Sequence, residues 1–199
     1  MKRGYLVDEK HVFLSASFAV LIVLLFVTLY YKPSLTVYAI EIQSTPGEIG
    51  GCQVLDTSGT YVLNQSISNY VGTCFNITAN DVVLNGNGYS LSGNSDDFVG
   101  DYGIYANGRT NITIENFANI SGFGDVSCGG DCNGSGIYFE STSNSELLNI
   151  TTNFNSIFGV YLSSSNNNTL SNITSNNNTN HGVYLQSSNN NHLSDVVAN

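Results

Sequence analysis

Three short runs share one pattern of apolar and polar positions. Gly136-Ile137-Tyr138-Phe139, Gly159-Val160-Tyr161-Leu162 and Gly182-Val183-Tyr184-Leu185 each place a tyrosine between two apolar residues, and they begin twenty-three residues apart. Period two is the period of a strand, so the flanking apolar residues share one face and the tyrosine takes the other. A fixed period between about 20 and 50 residues is the sequence sign of a solenoid.

Taking the glycine as origin extends the register backwards, to coils opening at Gly103 and Gly72. Apolar residues recur one position on (Ile104, Ile137, Val160, Val183) and three on (Phe75, Ala106, Phe139, Leu162, Leu185). Eleven positions on stand Val83, Ile114, Leu147, Leu170 and Leu193. Asparagine recurs eight positions on, at Asn80, Asn111, Asn144, Asn167 and Asn190. Thirteen positions on stand Asn85, Asn116, Asn149, Asn172 and Asp195. Short extended segments between Asn/Ser/Gly turns, with no ten-residue helical pattern, predict an all-β coil of about three strands. Stacked at roughly 4.8 Å, such coils turn the apolar positions into an internal column and the asparagines into hydrogen-bonded ladders. One coil cannot stand alone: ordering its residues costs roughly 1–2 kcal/mol each, and about five buried apolar side chains return only about 1.5–3 each. A leucine-rich repeat is excluded because serines (Ser163, Ser164, Ser165) stand where its leucines belong.

The remaining segments divide the chain. Val12–Tyr31 is uncharged and long enough to cross a bilayer core as a helix. Lys2, Arg3 and Lys10 precede it, which keeps the first residues in the cytoplasm. Its length favours a signal anchor; a signal peptide cleaved after Val37-Tyr38-Ala39 is the other reading. Residues 1–39 are therefore expected to be the membrane signal, 40–71 an N-terminal cap, and 72–199 the coils. The last coil stops eighteen positions in, at Asn199, so the chain is expected to be part of a longer protein. Nine Asn-X-Ser/Thr sequons, at Asn64, Asn76, Asn111, Asn119, Asn133, Asn149, Asn167, Asn172 and Asn177, fit an extracytoplasmic glycoprotein, although an Asn/Ser/Thr-rich chain also forms sequons by chance.

Charge narrows the partners. The chain carries 15 acidic and 5 basic side chains, and beyond residue 40 the only cation is Arg109. Nucleic-acid binding, which rests on Lys and Arg neutralising phosphates, is excluded. Four cysteines allow three pairings. Cys128 and Cys132 flank a flexible Gly129-Gly130-Asp131 and suit a local bridge, leaving Cys52 with Cys74; metal binding is the rival, but no histidine lies at ligand spacing.

The Gly-Ile/Val-Tyr-Leu, Ser-Ser-Asn-Asn and Asn-Ile motifs, preceded by Asn85-Gly86-Asn87-Gly88-Tyr89-Ser90-Leu91-Ser92-Gly93, resemble right-handed parallel β-helix repeat proteins. The nearest group is the NosD-like one, of the carbohydrate-binding and sugar-hydrolase type, in the style of archaeal surface proteins. The resemblance covers residues 52–199 and implies the fold; its members span copper delivery, lyases, hydrolases and epimerases, so it leaves activity open. Copper ligation lacks donors: Met1 is the only methionine, and His181 and His192 fall at unrelated coil positions, as solvated turn residues would. No Asp-Asp followed by Gly-His-Gly is present, and the position of Arg109 carries Thr142, Ser165 and Ser188 in later coils, which reads as an outward-facing ladder. A carbohydrate-active enzyme would need catalytic residues beyond Asn199.

Two candidate sites follow. The first two coils are eight and ten residues longer than the rest, and their loops carry Asp96, Asp97, Asp101, Asp125 and Asp131. Carboxylates converging from stacked loops suit calcium, the only cofactor the sequence suggests; solvated loop charges are the plain alternative. Tyr105, Tyr138, Tyr161 and Tyr184 should form an outward column, suited either to holding strands together or to packing against sugar rings. The expectation is a membrane-anchored or secreted surface protein with a structural, adhesive or carbohydrate-binding role. Its partners would be the membrane, through the N-terminal helix, and a polysaccharide or surface glycan.

Overall fold

The structure is a computed structural model, and it describes residues 44–95, 100–124 and 134–199. The described residues belong to one compact unit, residues 42–199. The expected membrane helix at 12–31 lies outside the described residues, among which no helix is long and apolar enough to cross a membrane.

Strands follow one another around each coil. After β1 (Gly47–Ile49), one coil holds β2 (Gln53–Leu55), β3 (Gly59–Leu63) and β4 (Ile67–Tyr70). The next holds β5 (Phe75–Ile77), β6 (Val82–Asn85) and β7 (Ser90–Gly93). Four two-strand coils complete the stack: β8 (Tyr102–Asn107) with β9 (Ile112–Ser121), β10 (Ser135–Glu140) with β11 (Glu146–Asn153), β12 (Phe158–Ser163) with β13 (Thr169–Ser175), and β14 (His181–Gln186) with β15 (His192–Ala198). Every pairing is parallel, and it joins each strand to its counterpart in the neighbouring coil. One sheet runs β2-β5-β8-β10-β12-β14; the other runs β1-β3-β6-β9-β11-β13-β15, with β4 and β7 completing it beside β9. This is a parallel β-helix. Residues 47–70, expected as a cap, supply the first four of its strands.

The long strands bend, and asparagine is the reason. β9 pairs with β6 through Ile112–Glu115 and with β7 through Asn119–Ser121, so one strand spans what are two strands in the preceding coil. Asn116, Asn149, Asn172 and Asp195 lie at the bend with φ between +52° and +58°. Asn111, Asn144, Asn167 and Asn190 hold the same left-handed conformation in the turn before the strand. Asn and Asp enter that region at less cost than other side chains because their short polar groups bond locally. The bend column also bonds along the stack: Asn149 Nδ2 donates to Asn116 Oδ1 at 3.1 Å, and Asn172 Nδ2 to Asn149 Oδ1 at 2.8 Å.

The core is a set of vertical columns. Ile77, Ala106, Phe139 and Leu162 form one and Leu84, Ile114, Leu147 and Leu170 another, all buried. Here the earliest coil departs from the register counted from Gly72. Phe75 pairs with Ile104 and Ile77 with Ala106, so Cys74 stands at the glycine position. A slip of two leaves the inward face unchanged, so alternation could not reveal it. The turn from Ile77 to Val82 is also one residue shorter than that from Ala106 to Ile112. Asp81 therefore takes the left-handed position counted for Asn80, and Leu84 pairs with Ile114 where Val83 was expected. Asn85 lies opposite Glu115, and its Oδ1 accepts from Asn116 Nδ2 at 3.5 Å.

Candidate functional site

The outer face of the six-stranded sheet carries two columns of rings. Tyr105, Tyr138, Tyr161 and Tyr184 are paired in register along four strands. Beside them, three residues earlier on each strand, stand Tyr102, Ser135, Phe158 and His181. Residues three apart share a face only if alternation breaks once between them, and the repeat glycine makes that break. A Cβ on Gly136 would point inward, 3.0 Å from Asn155 Nδ2 and 3.3 Å from Thr152 Cγ2, and the next residue, Ile137, is buried too. The ring residues on either side of the Gly-aliphatic pair therefore both face out. Tyr102 stacks on Tyr105 at 5.3 Å, Phe158 packs against Tyr161 at 4.8 Å and His181 stacks on Tyr184 at 5.3 Å.

From Tyr138 to Tyr184 the rings of the tyrosine column stack, with centroids 4.7 Å apart for Tyr138–Tyr161 and 5.5 Å for Tyr161–Tyr184, while Tyr105 tilts against Tyr138 at 5.3 Å. Their faces are largely occupied by one another, and the half-buried rings present edges outward. Their hydroxyls are tied to a polar row: Tyr105 OH donates to Glu140 Oε2 at 2.6 Å, and Tyr161 OH to Gln186 Oε1. His181, expected as a solvated turn residue, instead begins a strand and extends the aromatic face.

Burial pushes the Tyr105 hydroxyl up to about 12, helped by its hydrogen bond to Glu140. Tyr138 is raised by burial and then by the Glu140 charge, and Tyr102 by burial and then by the neighbouring Tyr138 and Tyr105. Each folded value lies above the ordinary value of 10.0. Between pH 10 and 12 the unfolded chain has released protons that the folded chain keeps, so stability present below about pH 10 falls as pH rises through that window. An alkaline titration followed by far-ultraviolet circular dichroism should show this loss. The Y105F/Y138F variant should hold its fold to higher pH, and an unmoved midpoint would contradict the assignment.

Of the five carboxylates expected to converge, one lies among the described residues. Asp101 accepts a hydrogen bond from Gly72 N at 3.2 Å. Asp96, Asp97, Asp125 and Asp131 lie outside the described residues, as do Cys128 and Cys132. Among the described residues no group of three or more His, Cys, Asp or Glu could hold a metal. Cys52 and Cys74 are joined by a disulfide, stapling the starts of β2 and β5. The column of Arg109 faces inward in the later coils, contrary to expectation: Thr142 and Ser165 are buried, and their hydroxyls donate to Ala106 O and Phe139 O. Arg109 itself turns back onto backbone, donating to Asn107 O at 2.8 Å and Thr78 O at 2.6 Å.

Sequence reading missed the second ring column and the internal polar ladders. Ser145, Asn168 and Asn191 line one corner, where Asn168 Oδ1 accepts from Ser145 N and Asn191 Oδ1 from Asn168 N. Asn155 and Asn178 line another, with Asn178 Oδ1 accepting from Asn155 N. The signal was present: these pairs repeat at twenty-three residues, and an aromatic or histidine precedes Gly103, Gly159 and Gly182.

Fold, register and corner ladders together define a parallel β-helix whose outer face is aromatic. The family described as a right-handed β-helix region matches residues 80–199. The chain belongs to that family. No curated protein and no solved structure matches it.

Proposed function

We propose that this chain is an extracytoplasmic surface protein, held by or released from the membrane through residues 12–31, that binds neutral carbohydrate on the aromatic face of its six-stranded sheet. The observation that carries the reading is the pair of half-exposed ring columns, seven rings on four successive coils: Tyr102, Tyr105, Tyr138, Phe158, Tyr161, His181 and Tyr184. Rings with polar tips suit amphipathic ligands, which sugars are. Four coils at roughly 4.8 Å give a strip about 14 Å long, a length that suits several sugar units better than one. A net charge of −10 repels polyanions, which selects uncharged glycans.

Affinity electrophoresis through gels cast with neutral soluble polysaccharides tests the reading. The wild-type protein should be retarded, and Y161S/Y184S should run unretarded with an unchanged circular dichroism spectrum. Equal retardation of the variant removes this face as the binding surface.

A further inference from the structure

The second ring column has one rung missing. Ser135 pairs with Tyr102 on one side and with Phe158 on the other, and it carries no ring. Tyr102 and Phe158 are thus two rungs apart, roughly 9.6 Å. Both pack onto the tyrosine column: Tyr102 lies 5.1 Å from Tyr138 and 5.3 Å from Tyr105, and Phe158 lies 4.8 Å from Tyr161 and 4.9 Å from Tyr184. The space left measures about 110 Å³ and is lined by Tyr102, Gly134, Ser135, Tyr138, Ile157, Phe158 and Tyr161. It is smaller than the roughly 150 Å³ cavity that takes benzene, so a larger ring would enter by one edge only. Ser135 is 2% exposed. Among the described residues no charged side chain lines the space.

We propose that this gap is a slot for a single uncharged pyranose residue, inserted end-on between the rings of Tyr102 and Phe158. The proposal rests on the carbohydrate-binding reading above and names where one sugar unit is gripped. Elsewhere on the face the tyrosine rings cover one another, whereas here two aromatic residues flank an empty rung, as the two C–H faces of a pyranose require. Ser135, Tyr102 and Tyr138, which all line the space, carry the few polar groups that orient a ligand in a largely apolar pocket. An aromatic guest would use the ring faces but leave those hydroxyls unpaired, which disfavours it.

The test fills the rung. Methyl α- and β-hexopyranosides (gluco, manno and galacto) are titrated against the wild type, S135F and S135A by ligand-observed NMR. Polysaccharide retention is measured on the same proteins. S135F should complete the ring stack, keep or raise the melting temperature, and weaken binding of the preferred glycoside at least about tenfold. S135A keeps the slot open and should weaken it only a few-fold, which holds the proposal to a test even if S135F fails to fold. Undiminished glycoside binding by S135F, or unchanged binding by S135A where S135F does not fold, overturns the slot. So does p-cresol saturating the wild type with no glycoside competing. Polysaccharide retention without glycoside binding overturns the slot and leaves the wider reading standing; absence of both removes the two together.

Discussion

Replacing Gly159 with alanine is expected to cost on the order of 3 kcal/mol. The position needs space, since its φ is not in the left-handed region. A Cβ there would lie 2.5 Å from Thr152 Oγ1 and 2.7 Å from Gly182 O, with Ser175 Oγ closer still. Those neighbours cannot retreat. Thr152 and Ser175 are buried and bonded to each other at 2.7 Å, and Gly182 is the same position one coil on. Gly136 and Gly103 are crowded in the same way by the carbonyl oxygens of Gly159 and Gly136, so the glycine column sets how closely the two sheets meet at this corner. Because a solenoid's stability is a sum of coils and their interfaces, the damage should concentrate in the last coils. Urea unfolding and hydrogen exchange on β12–β15 would measure it. G51A, where an added Cβ meets nothing within 4 Å, is the control, expected within about 0.5 kcal/mol of wild type. Similar midpoints for the two variants would refute the packing argument.

That glycine also explains why some of the molecule is legible in the chain and some is not. The inward columns announce themselves because apolar residues at period two admit one reading, and stacking repeats that reading every twenty-three residues. Asn116, Asn149 and Asn172 were visible as a column for the same reason, but their left-handed backbone was not, since asparagine serves equally as a ladder amide and as a turn residue. The slip at Gly72 was invisible because Phe75 and Ile77 keep their inward face whether counted from residue 72 or 74. The second ring column was hidden by the glycine itself: strict alternation places Tyr102 on the face of Ile104, whereas the inward Gly103 turns it to the face of Tyr105. The empty rung at Ser135 is then an absence within an unrecognised column, and only the pairing of Tyr102, Ser135 and Phe158 exposes it.

Replacing Asn168 with alanine should destabilise the fold by about 2–5 kcal/mol, although no apolar contact of note is lost. Asn168 is 1% exposed, and both ends of its amide serve buried backbone. Its Oδ1 accepts from Ser145 N at 3.0 Å and its Nδ2 donates to Thr142 O at 3.0 Å. Alanine leaves both groups without a partner at a corner that water does not reach, and each orphan costs about 1–3 kcal/mol. N168S should fall between wild type and N168A, because a serine at this column position in the preceding coil, Ser145, still serves Ile112 N with its hydroxyl at 3.0 Å. N168D adds a dependence on pH. Burial beside Thr142 O raises the carboxyl above its unfolded value near 3.9, so the folded state holds a proton that the unfolded state has released. Relative to N168A, N168D should therefore be most stable below about pH 4, where the protonated oxygen can donate to Thr142 O, and should lose that advantage as pH rises through the folded value. Urea midpoints for the three variants at pH 4 and pH 7 give the whole pattern. If N168A and N168S unfold together, or N168D shows no greater change with pH than N168A, the ladder is a consequence of the stack and not one of the interactions that hold it.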